Sequence, residues 1–224
     1  MRSSSKITAI IPVRSGSKRV PNKSVRPFGD TTLLDLKIES LKEAEVFDEI
    51  ILSTDSDDIL KFAERHGISS HKREEYYASD YCSASDFFCN LTTIVSEGAI
   101  AYCPPTSPFI NKETLEKAKR AFQVGHGIDS VATVSTMKHH MWLGGKPLNY
   151  DPSNSPNSQE LPNIYKITYG VCICPRDLIM ENKNIVGKKP AFLILDEIEA
   201  MDIDTALDFK FAEYIYESEF KNVQ

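Results

Sequence analysis

"ITAIIPVRSGSKRVPNKSV", residues 7–25, sets the reading of the whole chain. Its first seven residues are nearly all apolar, as in a strand covered by helices on both faces. The rest is a loop with one glycine, Gly16, and four cations, Arg14, Lys18, Arg19 and Lys23. A buried strand that empties into a charged loop is a typical opening unit of an α/β sheet, in which ligands gather beyond the carboxyl ends of the strands. Walker A needs G-x-x-x-x-G-K-[ST] and the dinucleotide fingerprint needs G-x-G-x-x-G; the loop has neither. It offers instead R-S-G-S-K followed by Lys23. Ser15 and Ser17 supply hydroxyls, Gly16 permits close backbone approach, and cations stand at both ends. Backbone N–H groups in such a turn make a concavity for an anion, and arginine and lysine supply the charge. The loop therefore predicts a phosphate site. The competing reading is a solvated charged loop that Pro21 and Pro27 merely shape.

The remainder of the chain frames that site. Its 224 residues suit one domain that buries roughly 70 % of its unfolded surface. A net charge of −6 argues against general nucleic-acid binding, which needs a basic face. A cationic loop in an acidic chain suits a small anion instead. No apolar run approaches the ~20 residues that span a bilayer, and "MRSSSK" at the start has no secretory apolar region. The expectation is a cytoplasmic protein with neither nucleic-acid nor membrane partner. The five cysteines, Cys82, Cys89, Cys103, Cys172 and Cys174, form no zinc pattern. In "YGVCICP", Cys172 and Cys174 share one side of a strand and read as buried free thiols.

Short apolar runs alternate with amphipathic stretches, the pattern of a parallel sheet. Strands are expected at 7–13, 49–54, 99–103, 130–134 and 191–195, and helices at 32–44, 56–67, 111–122 and 204–220. In the first helix Leu33, Leu34, Leu36, Ile38 and Leu41 form the apolar stripe, with Lys37, Glu39 and Lys42 outward. In the last, Leu207, Phe211, Tyr214 and Ile215 recur at helical spacing. The fold class is α/β: a Rossmann-like, mostly parallel sheet with helices on both faces. From Met137 to about Tyr169 a Gly-Gly pair and four prolines break the rhythm, which predicts either an inserted β-arm over a ligand site or against a second subunit, or a plain surface loop. Near the end, "MDIDT" puts Asp202 and Asp204 two apart, so an extended backbone turns both carboxylates to one side, as a hard Mg²⁺ ion requires. The alternative for Asp204 is N-cap of the last helix.

These pieces together resemble the acylneuraminate cytidylyltransferases, the family of the CMP-sialic acid synthetases. The family opens approximately I-[PL]-A-R-x-x-S-K-x-x-P-x-K-N; Arg14, Ser17, Lys18, Pro21 and Lys23 match, and Ser24 replaces the asparagine. "IILSTDSDDI" carries its S-T-D at Ser53, Thr54 and Asp55. "KREEYYASDYCSASDF" keeps Arg73, Ala78, Asp80 and Ser83, and "CPPTSPFI" and "AMDIDTALDFKFAE" follow in family order.

The resemblance implies a single nucleotidyltransferase domain over 1–224, with the arm at 137–169 as acceptor lid and homodimer contact. It implies transfer of CMP from CTP to an anionic acceptor, a sialic-acid-like 2-keto sugar acid, with Mg²⁺ as cofactor. Nucleotide binding then falls to Arg14, Ser15, Gly16, Ser17, Lys18, Lys23, Arg73, Asp80 and Ser83, metal binding to Asp202 and Asp204, and catalysis to Arg14, Lys18, Lys23 and Asp204. Acceptor binding falls to Pro104, Thr106, Ser107, Lys166 and Tyr169. The departures cluster there. Pro104 replaces a glutamine and Ile110 an arginine, while "YKITYG" stands for F-R-x-N-G, with Lys166 for the arginine that grips the sugar carboxylate and Thr168 for the asparagine. Lysine keeps the charge without the fork that matches a carboxylate. A different ulosonic acid or a phosphonate therefore enters as acceptor. Two other classes compete: a glycosyltransferase, whose D-x-D lies mid-chain without an R-x-x-S-K loop, and a nucleotide-binding paralogue without acceptor chemistry.

Overall fold

Ile7–Val13 forms the expected strand, β1, at the centre of the sheet. The computed structural model describes residues 6–124 and 127–221; the opening "MRSSSK" falls outside them apart from Lys6. After β1 come a small hairpin, β2 (Pro27–Phe28) and β3 (Thr31–Thr32), then α1 (Leu33–Ala44), β4 (Glu49–Thr54), α2 (Asp57–His66), β5 (Ser69–Lys72) and α3 (Ala84–Ile94). Then follow β6 (Ala99–Tyr102), α4 (Lys112–Val124), β7 (Ser130–Met137), the short strands β8 (Trp142–Leu143) and β9 (Lys146–Pro147), and β10 (Ile164–Pro175). The chain closes with α5 (Arg176–Asn182), β11 (Pro190–Ile194) and α6 (Ala206–Ile215), which runs on into a turn of π-helix.

Seven strands join in the order β11-β7-β10-β6-β1-β4-β5. β1 is parallel to both neighbours, β4 and β6, whereas β10 is antiparallel to β6 and β7. Successive residues of β1 face opposite ways. Ala9 and Ile11 pack with Leu34 and Ile38 of α1, Ala63 of α2 and Leu115 of α4. Ile10 packs with Leu91 of α3, Ile179 of α5 and the buried Cys172 and Cys174. Helices thus cover both faces, and the mostly parallel α/β reading holds.

Local signals explain the element ends. Ser56 caps α2 through a bond from the Ile59 N–H, and Gly67 ends it in the left-handed region. The Asn111 side chain takes the Thr114 N–H at the start of α4. Three elements went unread. β5, "SSHK", has no apolar residue because it is an edge strand held by pairing with β4. α3 and α5 were passed over, although Ser83 and Asp86 spell out the cap of α3. The arm is shorter than expected, because Ile164 pairs with Met137 and Ile164–Tyr169 belongs to β10.

Two helix faces differ from expectation. Lys37 does not point outward; it is 1 % exposed, on the same α1 stripe as Leu34, Ile38 and Leu41. In α6 the buried face is Phe209, Ala212 and Ile215, and Leu207 is 75 % exposed, with Phe211 and Tyr214 exposed as well. Phe28 decides the matter by taking Phe209 edge-on at 5.4 Å.

Candidate functional site

The chain steps from β1 to β4 on one side and returns through β6 on the other, so the carboxyl ends of β1 and β6 flank the topological switch point. A cleft of about 480 Å³ opens there, lined by Arg14, Ser17, Lys18 and Lys23 of the loop, Thr106 beyond β6 and Asp204 before α6.

The loop is fastened from below. Ser15 donates its N–H and its hydroxyl to Asp55, at 3.0 and 2.6 Å, at the end of β4. Burial would raise the Asp55 carboxyl, and these bonds outweigh it and hold the carboxyl low. Ser15 is thus an anchor and does not line the cleft. A Cβ at Gly16 would meet nothing within 4 Å, so no neighbour in the protein demands glycine there. Arg73, 3 % exposed, donates to the Val13 carbonyl and lies 5.3 Å over the Phe87 ring. Burial lowers its pKa and Asp55 opposes the drop. Arg73 therefore supports the floor beneath the end of β1.

Across the cleft, Asp80 takes Arg14 at 2.7 Å and Lys18 at 2.6 Å, and the hydrogen bonds from Lys18 and Arg14 hold its carboxyl below the usual range. Lys23 donates to the Ile203 carbonyl and stands 4.0 Å from Asp204. Burial lowers the Lys23 pKa, and Asp204 and Asp202 work against that. Arg19, outside the expected set, reaches Asp204 at 2.8 Å.

Ile203 sets the two carboxylates. Its side chain is buried with Phe28 and Phe209, and its N–H donates to the Thr106 carbonyl at 2.9 Å. The alternation of an extended segment then puts Asp202 and Asp204 on the opposite side. Thr205, not Asp204, caps α6: its hydroxyl accepts the Asp208 N–H, and the Asp208 carboxylate accepts the N–H groups of Asp204 and Thr205. The Asp204 carboxylate is left to the cleft. Burial raises the Asp202 carboxyl and Asp204 adds to this, against the Thr106 hydroxyl, Lys23 and Lys166. Two carboxylates beside a phosphate-type cationic loop fit a hard divalent cation, which takes its other ligands from phosphate and water. Among the described residues no group of three His, Cys, Asp or Glu side chains gathers to hold a metal alone.

Two further compartments adjoin. One compartment, about 370 Å³, is bordered by Arg73, Cys82, Ser83 and Pro104; the Ser83 hydroxyl is engaged in the α3 cap. A second, about 270 Å³, is walled by Phe87, Phe88, Tyr102 and Tyr169, with Thr168 and Asp202 at its edge. Tyr169 stacks on Phe88 at 6.3 Å from a left-handed backbone, φ 56°. The β10 register against β7 shifts between Ile167 and Cys172, the stretch that carries Thr168 and Tyr169. Gly170 is needed there, because a Cβ would stand 2.6 Å from the Ile110 side chain. Pro104 and Thr106 line these spaces, and Lys166 is exposed with its charge felt at Asp202. Ser107 is not a lining residue: it is buried behind the turn, and its carbonyl accepts from Lys37. The aromatic wall escaped the sequence reading because α3 did.

A cationic loop opposite two carboxylates, at the switch point of a mostly parallel sheet, is the arrangement of an α/β protein with a site for an anionic ligand. Residues 8–138 match the family model described as cytidylyltransferase. Over 98 % of its length the chain is 28 % identical to the post-translational flagellin modification protein B of Campylobacter coli, of which it covers 98 %. It is 26 % identical to the CMP-N,N'-diacetyllegionaminic acid synthase of Campylobacter jejuni, over 93 % of this chain and 94 % of that one. It is 28 % identical to the N-acylneuraminate cytidylyltransferase of Escherichia coli over 92 % of this chain and 51 % of that protein. Among solved structures, a CMP:2-keto-3-deoxy-manno-octonic acid synthetase complexed with CTP shares the fold, with a TM-score of 0.72 and 13 % identity, over 96 % of this chain and 100 % of that one. The chain belongs to the cytidylyltransferase family, in keeping with the resemblance read from its motifs. It is a CTP-dependent nucleotidyltransferase, and the glycosyltransferase and non-catalytic readings fall away.

Proposed function

We propose that the protein transfers CMP from CTP to a hydroxyl of an anionic 2-keto sugar acid and releases pyrophosphate. The observation that carries this reading is the cleft in which Arg14, Lys18 and Lys23 stand opposite Asp204, with an aromatic compartment adjoining at Thr106. The names of the relatives support an acid of the sialic, legionaminic or pseudaminic kind. The acceptor hydroxyl releases its proton to solvent and its oxygen bonds to the α-phosphorus, as the bond from that phosphorus to the α–β bridging oxygen breaks. Arg14, Lys18 and Lys23 neutralise the charge that gathers on the departing pyrophosphate. Asp202 and Asp204 would hold Mg²⁺, which supplies further charge neutralisation on the phosphates when bound. A phosphonate acceptor is the second reading. Lys166 permits it, because a point charge accepts either anion without selecting a planar carboxylate.

A homodimer built on the arm belongs to the same reading. Trp142, Leu143 and Leu148 of the arm, with Tyr165, Phe192 and Ile194 of the neighbouring strands, are exposed apolar side chains that support it. A reducing compartment, the cytoplasm, suits Cys103, Cys172 and Cys174, buried cysteines that form no disulfide. No helix among the described residues is long and apolar enough to cross a membrane.

The test is pyrophosphate release from each nucleoside triphosphate, with and without Mg²⁺, crossed with a panel of ulosonic acids and phosphonates. Release with CTP, Mg²⁺ and a nonulosonic acid is the expected result; none with any acid would sink the reading. Calorimetry of Lys18→Ala and Lys23→Ala should show CTP affinity down about tenfold or more, the worth of one charge-assisted bond.

A further inference from the structure

A buried lysine without an evident catalytic task lies directly behind the cleft. Lys37 occupies the core stripe of α1, and its ammonium donates to the Ser107 carbonyl at 2.7 Å. Burial drives its pKa down to about 8, against the charges of Cys103 and Glu199, the titratable groups that face it from β6's end and from the segment before α6. Neither gives it a close ionic partner. Burial pushes the Cys103 thiol up to about 12, so it is neutral, and Glu199 is occupied by the Asn111 N–H and the Thr114 hydroxyl. A desolvated ammonium is costly, and a hydrophobic residue of similar size would fill the stripe at lower cost. What the lysine does there is hold one carbonyl.

That carbonyl belongs to the turn that builds the cleft wall. The Ser107 N–H reaches back to the Pro104 carbonyl, and the Thr106 carbonyl accepts the Ile203 N–H at 2.9 Å. Ile203 lies between Asp202 and Asp204, and its own carbonyl accepts from Lys23. Three groups in series are therefore fixed from behind by one bond: the 104–107 turn, the aspartate pair and the Lys23 ammonium. The Ser107 hydroxyl, buried without a hydrogen-bond partner, does nothing to hold the turn.

We propose that Lys37 is a positioning residue for cytidylyl transfer: it clamps the 104–107 turn so that Asp202, Asp204 and Lys23 stand where the transferring phosphate needs them. The proposal rests on the function assigned above, and its test separates the two. Lys37→Met removes the donor and the buried charge together, losses that offset each other, so the variant folds. Because misplacement of reacting groups costs about tenfold to a hundredfold in rate, kcat should fall by that range with CTP affinity changed by less than about threefold. In an Asp202→Asn background the same substitution should cost almost nothing more, because the group it positions is already disabled. Lys37→Arg, which restores a donor, should recover part of kcat. Hydrogen exchange provides a reading free of activity: amides of 104–108 and Ile203 should exchange faster in Lys37→Met, with the β4 amides unchanged. An unaltered kcat, full multiplication of the two losses in the double variant, or unchanged exchange at the turn would each overturn the proposal. A wild-type chain that releases no pyrophosphate would overturn the function instead, and the exchange result would still decide the clamp.

Discussion

Asp80 sets the electrostatic state of the loop. It occupies Arg14 and Lys18, two cations of the cleft, with exposed ion pairs worth little to stability. Its hydrogen bonds from Lys18 and Arg14 depress its pKa, so the clasp is complete at neutral pH and is lost only as pH falls through a value below the ordinary 3.8. Asp80→Asn should free both cations and tighten inorganic pyrophosphate binding about threefold to tenfold, read by calorimetry, with the gain shrinking at high salt. Equal or weaker binding would mark Asp80 as a nucleotide ligand in its own right. At this scale the loop cations Arg14, Lys18 and Lys23 were legible because they follow β1 at short offsets, whereas Arg73, Asp80 and Ser83 were read only through the family resemblance. Lys37 was not legible, since a charged side chain on a helix is assigned outward by default. Its place in the 34, 37, 38, 41 stripe was the signal that could have found it.

Helix α6 carries the second kind of lesson. Its start is written in sequence: Thr205 and Asp208 cap each other's backbone N–H groups. Thr205→Ala should destabilise the fold by about 1 kcal/mol, which for a chain of this size lowers Tm by about 2–4 °C in calorimetry. No change would mean that the segment is held by Ile203 and Phe209 packing alone. The buried face of α6 is not written in the sequence, because Leu207, Phe209, Phe211, Ala212, Tyr214 and Ile215 surround the helix with apolar groups. Such a pattern names no inward side. β5 shows the converse, a strand with no apolar pattern at all that exists because β4 offers an unpaired parallel edge.

At the scale of the molecule, the 138–163 excursion leaves the sheet between β7 and β10 and returns on paired residues, and Leu161 is its one buried side chain, so its removal spares most of the core. Light scattering should therefore give a dimer for the full chain and a monomer when the excursion is replaced by a short turn. Phe192→Asp, on the exposed edge, should weaken the dimer without unfolding the chain; a monomeric wild type would refute the dimer. The sequence by itself determined the sheet class, the cationic loop and the aspartate pair, because these rest on strand periodicity and on charges at fixed short spacing. Only the tertiary structure decided that Ser15 anchors the loop, that Lys37 faces inward with Ser107 behind the wall, and that Ile203 turns its two neighbouring carboxylates to the cleft. Each of those outcomes depends on a partner distant in sequence, Asp55 for Ser15, Ser107 for Lys37 and Thr106 for Ile203, and no local pattern encodes a contact closed by packing.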